Sequence, residues 1–252
     1  MALDAAQIIA PAWLDPILAA LDPEQRAAAT LPDGPAQIIA PAGSGKTTTL
    51  IARLGVLLTR GVAAERIAVV TFNRQAAEEL SARIATRLGP LLPGADRVEV
   101  RTLHALARQV LLDAGEPVQL LADRLPLLRA ARRRVVATRA MDAPPVPEAA
   151  ALDTFLSAWK VEGRPPPQPA LPALAIFRDL LAARGKLDFD DLVVRAVDRL
   201  EGDSALRERW QGRFSHLAVD EFQDVDAAQL RLVRILAAPE DNLFVVGDDD
   251  QP

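Results

Sequence analysis

Five short apolar runs punctuate the chain, at 36–40 (AQIIA), 66–71 (RIAVVT), 97–101 (RVEVR), 215–220 (SHLAVD) and 243–247 (LFVVG). Between them lie segments of helix length with helical patterning. Strands alternating with helices predict βαβ units and a parallel sheet. Ile and Val dominate most of the runs, as burial on both faces of such a sheet requires.

Helix boundaries are marked by local chemistry. Asp22-Pro23-Glu24 supplies an N-cap, a proline at the first helical position and an early acid. A helix from Lys46 should run to about Thr59 and stop at Gly61. Asn73 can cap a helix ending at Gly89-Pro90, Thr102 one ending near Gly115, and Asp188 one carrying Asp190, Asp191 and Leu192. About 110 residues separate the third run from the fourth, far more than a crossover helix needs. That interval reads as helical at roughly 124–139, 152–160 and 174–184, with proline-rich breaks at 143–147 and 165–172. The expected architecture is an α/β domain with a parallel sheet, made of 1–112 and 188–252, into which a helical subdomain, 113–187, is inserted. The heptapeptide AQIIAPA occurs at 6–12 and again at 36–42. Only the second copy runs into Gly-Ser-Gly-Lys, so the first reads as coincidence or loop packing.

Composition narrows the chemistry. At 252 residues the chain is one large domain or two small ones, long enough to bury a core without covalent staples. It has no Cys, which excludes a disulfide scaffold and Cys-based zinc or iron–sulfur sites. His104 and His216 are the only histidines, which excludes a His-rich metal site. Aromatics are 4% with no Tyr, so base-stacking platforms must be sparse. The net charge of −5 argues against a small basic nucleic-acid-binding domain, yet it allows an enzyme that grips nucleic acid in a local groove. The charge is uneven: 101–139 holds eight Arg against three acids, whereas 215–252 holds nine acids against Arg231 and Arg234. No apolar run reaches the ~18 residues of a membrane span, and the N-terminus has no basic leader region. A soluble, cytoplasmic protein with no membrane partner is the expectation.

Ala40-Pro41-Ala42-Gly43-Ser44-Gly45-Lys46-Thr47 follows a predicted strand and opens a predicted helix, the context a phosphate-binding loop requires. Glycines let backbone N–H groups converge on an anion, and the helix N-terminus adds partial positive charge. Lys46 is placed to reach β/γ-phosphates, and the Thr47 hydroxyl to hold Mg²⁺. The first position of the general pattern, usually Gly, is Ala40 here. A second site closes the run at 215–220: in Val219-Asp220-Glu221-Phe222-Gln223-Asp224, Asp220 stands where a Mg²⁺ ligand belongs and Glu221 can polarise an attacking water.

Taken in order, these segments resemble the N-terminal ATPase portion of UvrD/PcrA/Rep-like superfamily 1A DNA helicases, from about Leu21 to Pro252. Leu21-Asp22-Pro23-Glu24-Gln25 is similar to the family's Q motif, which implies that Gln25 reads the adenine edge. The loop resembles A-G-A-G-S-G-K-T, with Pro41 in place of a Gly and one N–H fewer. Val70-Thr71-Phe72-Asn73-Arg74-Gln75 is similar to motif Ia, and Thr102-Leu103-His104-Ala105 to the T-F-H-S segment; both face DNA in the family. Leu187-Asp188-Phe189-Asp190-Asp191-Leu192 matches the D-F-D-D-L segment where the inserted 1B subdomain returns, 219–224 matches motif II, and Val246-Gly247-Asp248-Asp249-Asp250-Gln251 matches motif III.

The resemblance implies a RecA-like P-loop domain that uses ATP and Mg²⁺. ATP would be bound by Gln25, Ala42, Gly43, Ser44, Gly45, Lys46, Thr47 and Thr48, with Mg²⁺ on Thr47 and Asp220. Catalysis would rest on Lys46, Asp220, Glu221 and Gln251, and DNA contact on Thr71, Phe72, Asn73, Arg74, Thr102 and His104. The implied activity is ATP-driven 3′→5′ translocation on single-stranded DNA and unwinding at single-strand/duplex junctions, alongside other repair or recombination proteins. It also implies a second RecA-like domain beyond Pro252. The 252 residues are thus expected to be a fragment that turns over ATP slowly or not at all. Two alternatives stay open: the motor of a RecB/AddA/Adn-type helicase–nuclease, and a nucleotide-gated, non-catalytic interaction module. Among residues outside these motifs, His216 reads as structural. Arg132, Arg133 and Arg134 form either a DNA-backbone track or a solvated helix face, and Trp159 either stacks a base or packs a core.

Overall fold

The computed structural model describes residues 15–248. In chain order the elements begin with α1 (Asp15–Ala19), α2 (Pro23–Ala29), β1 (Ala36–Ile39), α3 (Lys46–Thr59), β2 (Ile67–Thr71), α4 (Arg74–Arg87) and β3 (Glu99–Thr102). A helical stretch follows: α5 (Leu103–Asp113), α6 (Leu125–Thr138), α7 (Ala149–Glu162), α8 (Leu171–Ala182), α9 (Phe189–Gly202) and α10 (Ser204–Gln211). The chain then returns to the sheet through β4 (His216–Val219), α11 (Ala227–Ala237) and β5 (Leu243–Gly247). Gln251 and the first AQIIAPA copy lie outside the described residues.

The described chain forms two compact units. One takes in the residues up to Thr102, Gln211–Val225 and those from Leu236 on; the other takes in Leu103–Trp210 and Asp226–Ile235. The first unit is α/β. Its sheet has the order β1-β5-β4-β2-β3, and every neighbouring pair is parallel. Each strand falls on an apolar run singled out above. All residues of β2 and β4 are buried, as expected for strands covered on both faces, whereas the edge strand β1 alternates and exposes Gln37 and Ile39. The core beneath joins Leu50, Ile51, Leu54 and Leu57 of α3 to Ile67, Val69, Phe244 and Val246. Parallel strands put all their carboxyl ends on one edge, which is where open α/β sheets bind ligands.

The second unit is helical, with a core of Leu128, Leu152, Leu156, Leu174 and Phe177 from α6, α7 and α8. α7 and α8 each begin three residues before the expected start. α8 carries Pro172 in its first turn, where a missing N–H does no harm. The two ends of the helical excursion are stitched together: Leu187 N–H donates to Gln119 O and Leu121 N–H to Leu187 O, each at 2.8 Å. Asp188 then caps α9 in a reciprocal box with Asp191.

Candidate functional site

The loop between β1 and α3 is built to receive an anion. Gly43 (φ 77°) and Gly45 (φ 84°) both take the left-handed conformation that other residues resist. Gly45 is the N-cap of α3 and offers no side chain to its first turn, so the N–H groups there keep their capacity for an external acceptor. Ser44 Oγ is buried without a hydrogen-bond partner among the described residues. An orphaned hydroxyl inside such a cradle fits a phosphate. Lys46 Nζ donates to Ala40 O at 2.8 Å and lies 3.2 Å from Asp248 Oδ2. A cavity of about 400 Å³ opens beside the loop, with Gln25, Ile39, Pro41, Ser44 and Lys46 on its wall.

Gln25 is the third residue of α2. Its Oε1 accepts from Asp22 N–H (3.2 Å), closing the capping box, and its Nε2 donates to Ser44 O (2.7 Å). The amide is therefore tied to the phosphate loop, and a Cβ on Gly45 would lie only 2.6 Å from it. Each amide atom keeps a second site, one N–H on Nε2 and one lone pair on Oε1, for a further partner.

The acidic pair stands at the carboxyl end of β4. Asp220 N–H still donates to Val70 O (2.9 Å), which continues the ladder to β2. Glu221 then turns sharply, with φ 55° and ψ 50°, a left-handed conformation that a non-glycine residue holds at a penalty of about 1–3 kcal/mol. Its Oε2 accepts from Gln223 Nε2 at 2.7 Å, and Gln223 Oε1 accepts from Asp248 N–H at 2.9 Å. Burial, and next the Glu221 charge, push the Asp220 carboxyl above its ordinary value; the Glu221 N–H, Lys46 and Arg83 oppose this. Among the described residues no three His, Asp or Glu side chains gather as a self-sufficient metal site.

The residues expected to face DNA fall into different environments. Thr71 is buried and its hydroxyl donates to Asn73 O (3.1 Å). Asn73 caps α4 by accepting from Ala76 N–H (2.8 Å), and Arg74 pairs with Glu78 one turn on (2.7 Å). Phe72 between them is 55% exposed. Thr102 ends β3, opposite Thr71 in register. In the helical unit, His104 sits in the first turn of α5 with its ring 5.0 Å from that of Phe189, which is itself more than half exposed. Burial lowers the His104 pKa, against the pull of Asp226 and Asp190.

Comparison with known proteins decides the family. Residues 21–252 match the UvrD/REP helicase N-terminal domain. The chain belongs to this family. It is 34% identical to ATP-dependent DNA helicase UvrD2 of Mycobacterium tuberculosis (strain ATCC 25618 / H37Rv), over 94% of this chain and 37% of the relative. It is 31% identical to ATP-dependent DNA helicase PcrA of Bacillus subtilis (strain 168), over 93% and 33%, and 30% identical to ATP-dependent DNA helicase Rep of Escherichia coli (strain K12), over 92% and 36%. The chain thus spans about a third of the length of these relatives.

Within this UvrD/REP N-terminal domain, two groups carry contacts that sequence reading did not single out. Gln223 joins motif II to the end of β5. In the helical unit the D-F-D-D-L carboxylates are clasped by two cations: Arg124 reaches Asp153, Asp190 (2.6 Å) and Ser157 (2.5 Å), and Lys160 reaches Asp188 (2.8 Å) and Asp191 (2.5 Å). The pairing of these two cations with four carboxylates was not visible in the sequence. His216 lies buried in β4 with Nε2 3.3 Å from Asp33, in keeping with a structural role. Arg132 pairs with Glu148, Arg133 and Arg134 are exposed, and Trp159 is partly exposed. No helix among the described residues is long and apolar enough to cross a membrane.

Proposed function

We propose that this chain is the ATP-binding portion of a DNA helicase that couples ATP hydrolysis to 3′→5′ movement along single-stranded DNA and to unwinding at junctions, in the cytoplasm. Residues 1–112 and 188–252 would form the RecA-like 1A domain and 113–187 its 1B insertion. The observation that carries the reading is the convergence of two loops at one sheet edge. The glycine loop with Lys46 follows β1, and the Asp220–Glu221 pair follows β4 with only β5 between. The relatives' names, ATP-dependent DNA helicases, support it.

The residues fit Mg²⁺-ATP. The uncapped α3 N-terminus and the orphaned Ser44 hydroxyl suit the phosphates, and Lys46 adds positive charge at the β/γ bridge. Thr47 and Asp220 would hold Mg²⁺, completed by phosphate oxygens, and the bound cation would offset the charge developing on the leaving group. Glu221 takes a proton from water as its oxygen bonds to the γ-phosphorus; the bond to the β-phosphate oxygen breaks and ADP leaves. Gln25 turns its second N–H and second lone pair to the adenine edge, and Gln251 links the γ-phosphate to DNA movement. Phe72 and His104 offer rings to DNA, with Thr71, Asn73, Arg74 and Thr102 shaping its path.

The test is DNA-stimulated ATP hydrolysis by the full natural polypeptide. Lys46→Ala or Glu221→Gln should each reduce it by about 10³-fold or more. Hydrolysis that survives either change would overturn the assignment.

A further inference from the structure

Glu221 is held twice. Its backbone occupies the left-handed region, and its carboxylate receives a hydrogen bond from Gln223. The same Gln223 amide accepts from Asp248 N–H, so both ends of one side chain are engaged and its orientation is determined. Turned over, it would set an oxygen against the Glu221 carboxylate and an NH₂ against the Asp248 N–H, two repulsions in place of two bonds. Gly247 makes room for this arrangement: a Cβ there would lie 3.1 Å from Gln223 Oε1 and 3.5 Å from its backbone N.

We infer that Gln223 is a positioning residue for hydrolysis, which aims the Glu221 carboxylate and ties its placement to the end of β5. The inference rests on the proposed ATPase reading, in which Glu221 is the base. Gln223 acts through Glu221. It fixes where the proton acceptor sits, and it makes that position depend on Asp248, whose carboxylate in turn faces Lys46. A reacting group misplaced by an ångström loses rate steeply while ground-state binding barely changes.

Three variants in the full natural polypeptide test this. Gln223→Glu keeps an acceptor for Asp248 N–H but sets an oxygen against Glu221; Gln223→Met removes both bonds at similar size. Both should lower kcat for DNA-stimulated hydrolysis roughly 10–100-fold while KM for ATP and the affinity for a fluorescent nucleotide move less than about threefold. Hydrogen exchange at the Asp248 amide should quicken in Gln223→Met and stay slow in Gln223→Glu. In a Glu221→Gln background, either change should alter the residual kcat less than about twofold, because both act through one group. Unchanged kcat in both variants, a parallel loss of nucleotide affinity and folding, or full additivity with Glu221→Gln would each overturn the inference. If Glu221→Gln alone left hydrolysis intact, the ATPase reading would fail as well; if it abolished hydrolysis while both Gln223 variants turned over normally, only the present inference would fail.

Discussion

Replacing Arg124 by Met should destabilise the helical unit by about 3 kcal/mol. The figure lies between two limits. Removing one partner of a fully buried ion pair leaves an uncompensated charge and costs about 3–5 kcal/mol, whereas an exposed pair contributes about 0–1 kcal/mol. Arg124 and Asp190 keep 17% and 18% of their side-chain surface, close to the buried limit. Two contacts survive the change and moderate the loss: Ser157 still donates to Asp190 (2.7 Å), and Lys160 to Asp188. Arg124→Lys should recover about half, because an ammonium supplies the charge without the planar fork that reaches Asp153, Asp190 and Ser157 together. Trp159 and Trp210 both lie in this unit, so tryptophan emission during a urea titration reports its unfolding. The pH dependence has a defined sign. Burial works to raise the Asp190 pKa, but the Arg124 and Ser157 hydrogen bonds outweigh it and hold the carboxyl below its ordinary value. A depressed carboxylate contributes stability above its unfolded pKa and loses it as pH falls through the folded one. Asp188 is shifted upward by burial and keeps Lys160 in both proteins, but it loses its 3.6 Å contact with Arg124, which adds to the same neutral-pH gap. The gap between wild type and Arg124→Met should thus be full at neutral pH and close in acid. A loss below about 1 kcal/mol at neutral pH, or a gap independent of pH, would refute the reasoning.

Two further outcomes are expected. Asp220→Asn should raise the thermal midpoint of the nucleotide-free chain at neutral pH: a carboxyl whose folded pKa is raised destabilises the fold once ionised, so the gain should fade as pH falls through that raised value, while Mg²⁺-ATP affinity drops. A midpoint that stays put or falls at neutral pH would contradict the assigned cause. Phe72→Ala should leave unfolding within about 0.5 kcal/mol of wild type yet weaken single-stranded DNA binding by about 1–3 kcal/mol at fixed salt; equal DNA affinity would end its assignment as a stacking residue.

The parts legible in sequence were those decided locally. All five strands fall on short apolar runs, most plainly the buried β2, β4 and β5, and caps such as Asp22, Asn73 and Asp188 act within three residues. The phosphate loop and the acidic pair follow strands, and the topology sets them on a common edge. Long-range pairing was hidden. Arg124 meets partners 29 and 66 positions away, and nothing in a basic stretch says which acids it will face. Gln223 lies inside a recognised motif, yet its bond to Asp248 N–H depends on β5 lying beside β4. Thr102 stands directly before α5 and also ends β3, paired in register with Thr71, because the sheet claims one more residue than the apolar run shows. Asn73 is an N-cap first, so any DNA contact it makes must share an amide already accepting from Ala76 N–H.

The strand order also has a mechanical consequence. β5 lies between β1 and β4, and neighbouring strands stand about 4.8 Å apart, so the carboxyl ends of β1 and β4 stand roughly 10 Å apart. Asp248 occupies the gap and holds both sides: its carboxylate faces Lys46, and its N–H is held by the amide that also holds Glu221. Under the proposed function, a phosphate that draws Lys46 toward itself weakens its ion pair with Asp248, a side chain that is largely covered. Under the proposed function, nucleotide entry beside β1 and placement of the base after β4 would share one residue at the end of β5.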